Sequence, residues 1–180
     1  IMKYFEDNKT ELKRELIDDV KKEIIAFLNT KGGIIYVGVN DDGTLYLPFK
    51  SENRDQISLK ISSWLQEAFF PLPSTLVSFH FNEENVLAIE VKEGLKKPYY
   101  LREKGTKPSG VYKRSGTSIR KCSDEEILKI CFKKTNEYGR VLRVISSSFS
   151  DNMKNLLIDY DALFKSLTFS FVEMAIKEMV

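Results

Sequence analysis

The chain has 180 residues, 42% of them hydrophobic and 30% charged. This is the composition of a globular domain and excludes collagen-like, mucin-like and wholly disordered chains. The formal net charge of +2 hides an asymmetry: residues 92–121 hold ten Lys/Arg against Glu93 and Glu103, a net of +8, leaving −6 on the remainder, which points to a local anionic partner.

No run of about 18 apolar residues is present, so no membrane-spanning helix is expected and no membrane partner is read. Residues 1–13 are charged and lack an apolar run with a cleavage site, unlike a signal peptide. Cys122 and Cys131 stand in neither metal-binding nor redox spacing and read as reduced thiols of a cytoplasmic protein. With His80 as the one histidine, a histidine-rich metal site and Ser-His-Asp chemistry on the usual template are disfavoured.

Leu12 and Leu16 give residues 10–16 only a weak alternation, compatible with strand or helix. Asp18 and Asp19 can cap a helix, whose buried stripe is Val20, Ile24, Phe27 and Leu28. Asn29 to Gly33 ends it, with glycine available for a left-handed cap. Ile34 to Val39 is a nearly continuous apolar run, read as a central strand. Asn40-Asp41-Asp42-Gly43 is a turn, with Thr44 to Leu47 as a returning strand.

Ile57, Ile61, Trp64, Leu65 and Ala68 predict an amphipathic helix over 55–69, stopped by Pro71 and Pro73. Residues 76–81 and 86–91 read as a hairpin, with His80 as a non-catalytic strand residue. Residues 98–101 and 111–114 read as two further strands joined by a mobile loop from Glu103 to Gly110. Ser123 and Glu126 form a capping box. Met153 to Leu167 and Phe171 to Met179 are candidate helices that could pair chains in a homodimer. Their apolar run to residue 180 predicts continuation into a downstream region.

Three groups of residues could carry chemistry. Glu6, Glu11 and Asp41 or Asp42 offer oxygen ligands that, if brought together, would hold Mg²⁺ or Mn²⁺ and activate water. The alternative reading makes the glutamates solvated and the aspartates turn residues. Asn29-Thr30-Lys31-Gly32-Gly33 could let backbone approach a phosphate, but it follows a helix rather than opening one, and a helix C-cap is the favoured reading. Asn29 would then orient its loop by side-chain hydrogen bonds.

The third group interleaves cations with aromatics: Lys96, Lys97, Tyr99, Tyr100 and Arg102, then Tyr112, Lys113, Arg114, Arg120 and Lys121. Lys and Arg pair with phosphates, and tyrosine rings can stack on unpaired bases. Strand alternation places Tyr112 and Arg114 on one face and Val111 and Lys113 on the other. The alternative is a solvated loop whose tyrosines lie half in the core. Arg120-Lys121 would lower the pKa of Cys122, but no general base accompanies it and the thiol reads as structural.

In order, the chain shows Glu6-x4-Glu11-Leu12-Lys13, Ala26-Phe27-Leu28-Asn29-Thr30-Lys31-Gly32-Gly33 and Tyr36-Val37-Gly38-Val39-Asn40-Asp41-Asp42-Gly43. Lys97-Pro98-Tyr99-Tyr100 and Val111-Tyr112-Lys113-Arg114-Ser115-Gly116-Thr117-Ser118 follow. Over roughly residues 4–135 this pattern resembles the AlbA_2-type domain, the bacterial relative of the Schlafen core. The resemblance implies an α/β (α+β) fold, a mixed sheet with flanking helices, and Asn29, Gly32, Gly33, Gly38 and Gly43 as structural motif positions. It implies nucleic-acid binding, DNA before RNA, without a cofactor, in bacterial transcriptional regulators often described as ATP-binding.

Within the basic and aromatic stretch, the expected phosphate and base contacts are Lys97, Tyr99, Tyr112, Lys113, Arg114 and Arg120. In Schlafen-type nucleases three acids form a metal-dependent RNA-cleaving site, and those positions fall on Glu6, Glu11 and Asp41. The sequence departs from the family at Leu45-Tyr46-Leu47-Pro48, where a glycine is usual, and at Cys122, where a small alanine is usual. The expected organisation is one domain over 1–137 and a helical extension over 138–180.

Overall fold

Leu12 and Glu11 are neighbours on a four-residue strand, and both are buried. Successive strand residues point to opposite faces, so the sheet must be covered on both sides here. The computed structural model describes residues 4–46, 49 and 51–130. The chain divides into two units, 1–127 and 128–180, and the site described below lies in the first. The expected helices over 153–167 and 171–179, the homodimer contact read from them and Cys131 lie outside the described residues.

Residues 10–13 settle as strand: β1 (Thr10–Lys13) pairs in parallel with β2 (Gly33–Val37). Between them runs helix α1 (Val20–Asn29). The next helix, α2 (Arg54–Glu67), follows a 3-10 turn and precedes the short strand β3 (Phe69–Phe70). The hairpin of β4 (Val77–Phe81) and β5 (Leu87–Val91) completes a mixed sheet of order β1-β2-β5-β4. Two further pairs stand apart: β3 with β6 (Tyr100–Leu101), and β7 (Tyr112–Ser115) with β8 (Ser118–Lys121). Residues 124–130 are helical.

Register explains the two-sided burial. Glu11 lies beside Ile35 and Lys13 beside Val37, so both share the face that packs against α1. Leu12 lies beside Tyr36 on the reverse face, in a smaller cluster with Tyr4, Val39 and Val86. Tyr4 is held there by a hydrogen bond from its hydroxyl to Glu84 at 2.7 Å. Burial, then that carboxylate, push its pKa up to about 12.

α1 is buried almost all round, from Val20 and Glu23 through Leu28. A single apolar stripe is expected at a surface helix. Here the sheet covers one side, while β6, β7 and β8 cover the other. The helix closes where the Gly32 amide donates to the Phe27 carbonyl at 3.0 Å, with Gly32 at φ +70°. A left-handed residue in that place is the ordinary use of glycine. Gly38 and Gly43 also hold positive φ, at +102° and +81°. Gly33 instead leaves room for a close approach: an added Cβ would overlap the Phe27 ring and the Lys9 carbonyl oxygen.

Two expectations change, one strand is added and one loop gains detail. The helix predicted over 55–69 ends at Glu67, because Pro71 biases the residue before it towards extended backbone and Phe69–Phe70 pairs with β6. The strand predicted after the Asn40–Gly43 turn reduces, among the described residues, to one bridge between Val39 and Leu45. β8 had no signal of its own, since its residues are mostly exposed. The 103–110 loop is tied at both ends: the Leu101 amide donates to Gly110 and the Gly105 amide to Leu101, each at 3.0 Å. The capping box is present, with Glu126 amide to Ser123 Oγ at 3.2 Å and Ser123 amide to Glu126 Oε2 at 3.0 Å. No described helix is long and apolar enough to cross a membrane.

Gly33→Ala tests the close packing of α1 on the start of β2. Overpacking at such a contact costs about 1–3 kcal/mol, so urea unfolding is expected at lower denaturant with an unchanged slope. An unchanged midpoint would contradict the packing described.

Candidate nucleic-acid interface

β7 alternates as its sequence predicts, but its tyrosine and arginine face inward. Tyr112 is 6% and Arg114 8% exposed. The Arg114 guanidinium reaches across α1 to β1. It donates to the Glu11 carboxylate, to Glu23 at 3.4 Å, and to the backbone oxygens of Asp7, Thr10 and Thr117 at 2.8, 3.3 and 3.1 Å. Its centre lies 4.7 Å from the Phe27 ring centroid. Lys13 joins from the same sheet face, bonded to Glu11 and 3.1 Å from Glu23. Two carboxylates and two cations thus meet beneath the β7–β8 hairpin.

The electrostatics follow from this burial. Burial first, then the Glu11 charge, raise the Glu23 pKa, although Lys13 and Arg114 oppose the rise. Burial works against the Lys13 ammonium, yet the hydrogen bond to Glu11 and the charges of Glu23 and Glu11 outweigh it and raise its pKa. A buried charge stripped of its partner is costly, so the four groups stand or fall together.

The three acids considered for a metal do not converge. Glu6 is exposed and accepts the Leu12 amide at 3.3 Å. Asp41 is exposed in its turn, 3.9 Å from Arg14. Glu11 is buried, one oxygen engaged by Lys13 and the other by Arg114. Among the described residues no group of three or more His, Cys, Asp or Glu is placed to hold a metal ion. The donor set does not fit Mg²⁺ or Mn²⁺, because the central carboxylate is already neutralised by two cations.

The predicted contact residues separate into three kinds. Tyr99, at 2% exposure, and Tyr112 are core residues, so neither ring is open for stacking. Asn29 holds both strands: its Nδ2 donates to the carbonyls of Tyr99 and Tyr112 at 2.8 and 2.9 Å, and its Oδ1 accepts the Tyr99 amide at 2.7 Å. It joins α1 to β6 and β7 rather than orienting its own loop. Lys97 is half-buried and spans Glu93 at 2.6 Å and the Thr30 carbonyl at 2.9 Å. Lys113 and Arg120 both engage Glu126.

The remaining cations of the basic segment point outward. Lys92, Lys96, Arg102, Lys107 and Lys121 are exposed, and none forms an ion pair with a described residue. Arg102 and Lys121 line one open cleft of about 700 Å³, together with Lys21, Lys22 and Lys104. A second cleft of about 460 Å³ shares Asp19, Lys22, Tyr112 and Lys121 with it. Asp18, Asp19 and Glu103 pair with Lys21, Lys22 and Lys104 at 3.3, 2.6 and 3.5 Å. Glu67 also lines the larger cleft, so its five cations face four acids and leave a net of +1, with Arg102 and Lys121 the two cations outside these ion pairs.

Sequence reasoning missed Glu23 and the clefts, and it read Glu126 only as a cap. A signal for Glu23 exists: it lies three residues after Val20 and four before Phe27, on the stripe that the helix buries. The Cys122 thiol is buried, and burial with the nearby Glu126 charge pushes its pKa up, against the lowering expected from its basic neighbours.

Arg114→Met leaves two buried carboxylates with one cation. Breaking a buried pair in this way costs about 3–5 kcal/mol, read as a lower urea midpoint at neutral pH. Glu23→Gln tests the second feature. A raised native pKa means that wild type loses stability as pH rises from the usual value near 4.5 through the native value. The stability difference between wild type and Glu23→Gln therefore shifts in favour of the variant over that rise. A pH-independent difference would contradict the raised pKa.

A family description, Schlafen AlbA_2, matches residues 6–123. Among solved structures, the DIP2311 protein from Corynebacterium diphtheriae is similar at 16% identity and a TM-score of 0.44. That likeness covers 68% of this chain but only 23% of the other. The N-terminal domain of a protein from Nitrosomonas europaea described as related to the ATP-dependent DNA helicase RecG is similar at 22% identity and a TM-score of 0.40. It covers 63% of this chain and 82% of the other. No curated protein matches the sequence. With the family description covering residues 6–123 of the 180, the chain belongs to the Schlafen AlbA_2 family.

Proposed function

We propose that this domain binds nucleic acid through the phosphate backbone, DNA in preference to RNA, as part of a cytoplasmic transcriptional regulator. The observation that carries the reading is the exposed, unneutralised set Lys92, Lys96, Arg102, Lys107 and Lys121 within a segment of net +8. Neutralising a row of phosphates releases condensed counterions, which drives association at low salt. Membership of the AlbA_2 family adds support. Because Tyr99 and Tyr112 lie in the core, the binding is electrostatic and does not depend on those rings stacking on bases.

The reading assigns different work to the two sides of β7. Arg114 builds the scaffold and touches no ligand. Arg102, just after β6, and Lys121, at the end of β8, meet phosphate in the cleft. No step is assigned to the Glu6, Glu11 and Asp41 carboxylates.

Fluorescence anisotropy with matched labelled DNA and RNA duplexes over a salt series tests this. Binding is expected to weaken steeply with salt and to favour DNA. Arg102→Glu with Lys121→Glu is expected to weaken it about tenfold and to flatten the log–log salt slope by about two. Equal binding by the double variant, at an unchanged slope, would overturn the assignment of this surface.

A further inference from the structure

Lys113 and Arg120 face each other as register partners across the β7–β8 pair. Both are committed to one side chain. Arg120 sends two parallel hydrogen bonds to Glu126, Nη1 to Oε2 at 2.8 Å and Nη2 to Oε1 at 2.7 Å. The Lys113 ammonium bonds Oε1 as well, and the Ser123 amide donates to Oε2 at 3.0 Å. Four donors therefore converge on two oxygens of a single charge.

A guanidinium fork flanked by an ammonium is the donor set that takes a phosphate through two of its oxygens. Here a carboxylate of the chain's own fills it. The pair is open to solvent: the side chains of Arg120, Lys113 and Glu126 are 45%, 30% and 28% exposed. A phosphodiester offers the same single charge and paired acceptor oxygens, so it competes with the carboxylate for the same donors. Arg120, then Lys113, hold the Glu126 carboxyl well below the usual carboxylate range, so it stays charged wherever the protein works.

We propose that Glu126 is a built-in phosphate surrogate that masks Lys113 and Arg120 until a nucleic-acid phosphate displaces it. The proposal rests on the nucleic-acid reading above and deepens it by naming a control on affinity. It also gives the capping box a second role. Glu126 closes the start of the 124–130 helix, so phosphate binding at Lys113 and Arg120 loosens that helix's first turn.

The test measures anisotropy of a labelled DNA duplex at low salt with five variants of the full chain. Glu126→Gln is expected to bind about tenfold more tightly than wild type, with a salt slope steeper by about two. Glu83→Gln removes one exposed charge from the β4–β5 turn and controls for net charge; its effect is expected to be small. Ser123→Ala weakens the same cap but keeps the carboxylate, and is expected to bind as wild type does. In a Lys113→Gln, Arg120→Gln background the gain from Glu126→Gln is expected to vanish. A Glu126→Gln gain no larger than that of Glu83→Gln, or one matched by Ser123→Ala, would overturn the proposal while leaving the nucleic-acid reading intact. Absence of binding in wild type and every variant would instead sink that reading, and this proposal with it.

Discussion

One guanidinium organises this domain. Arg114 projects from β7 into the space between β1 and α1, where it meets two carboxylates and three backbone oxygens. An apolar side chain there could fill the volume but could not satisfy Glu11 and Glu23, which the sheet register and the helix period both aim into the same space. The ion network therefore fixes how the β7–β8 hairpin lies on the domain. The clefts depend on that placement, because Tyr112 and Lys121 of the hairpin line both of them.

A basic segment is usually read as surface throughout. Here strand alternation divides it. Arg114 neutralises buried acids, Lys97, Lys104, Lys113 and Arg120 neutralise more exposed ones, and the rest face solvent without acidic partners among the described residues. Charge counted along the sequence overstates what a polyanion can reach, and the structure says by which residues. The count still matters for long-range attraction, which sums over all charges whether or not each one touches the ligand.

Much of the fold was legible because its signals are local. The apolar run at 34–39, the hairpin at 76–91 and the Ser123–Glu126 box each announce themselves within a few residues, and all are present. What escaped was decided by tertiary partners. β3 exists because β6 runs beside it, and α1 is buried all round because a sheet and a hairpin enclose it. The candidate site was legible as composition but not as geometry. Arg114 and Glu11 stand 103 residues apart, and nothing in either neighbourhood says that the arginine serves the acid. The same pairing explains why Glu11, attractive as a metal ligand by spacing, has both oxygens engaged.

The most direct test of this account follows backbone amide resonances of the ¹⁵N-labelled protein while a DNA duplex is added. Shifts are expected to concentrate at Arg102, Lys107, Lys113, Arg120, Lys121 and Glu126, with Glu11, Glu23 and Thr10 unmoved. Shifts centred on Glu6, Glu11 and Asp41, with the outward cations silent, would contradict it.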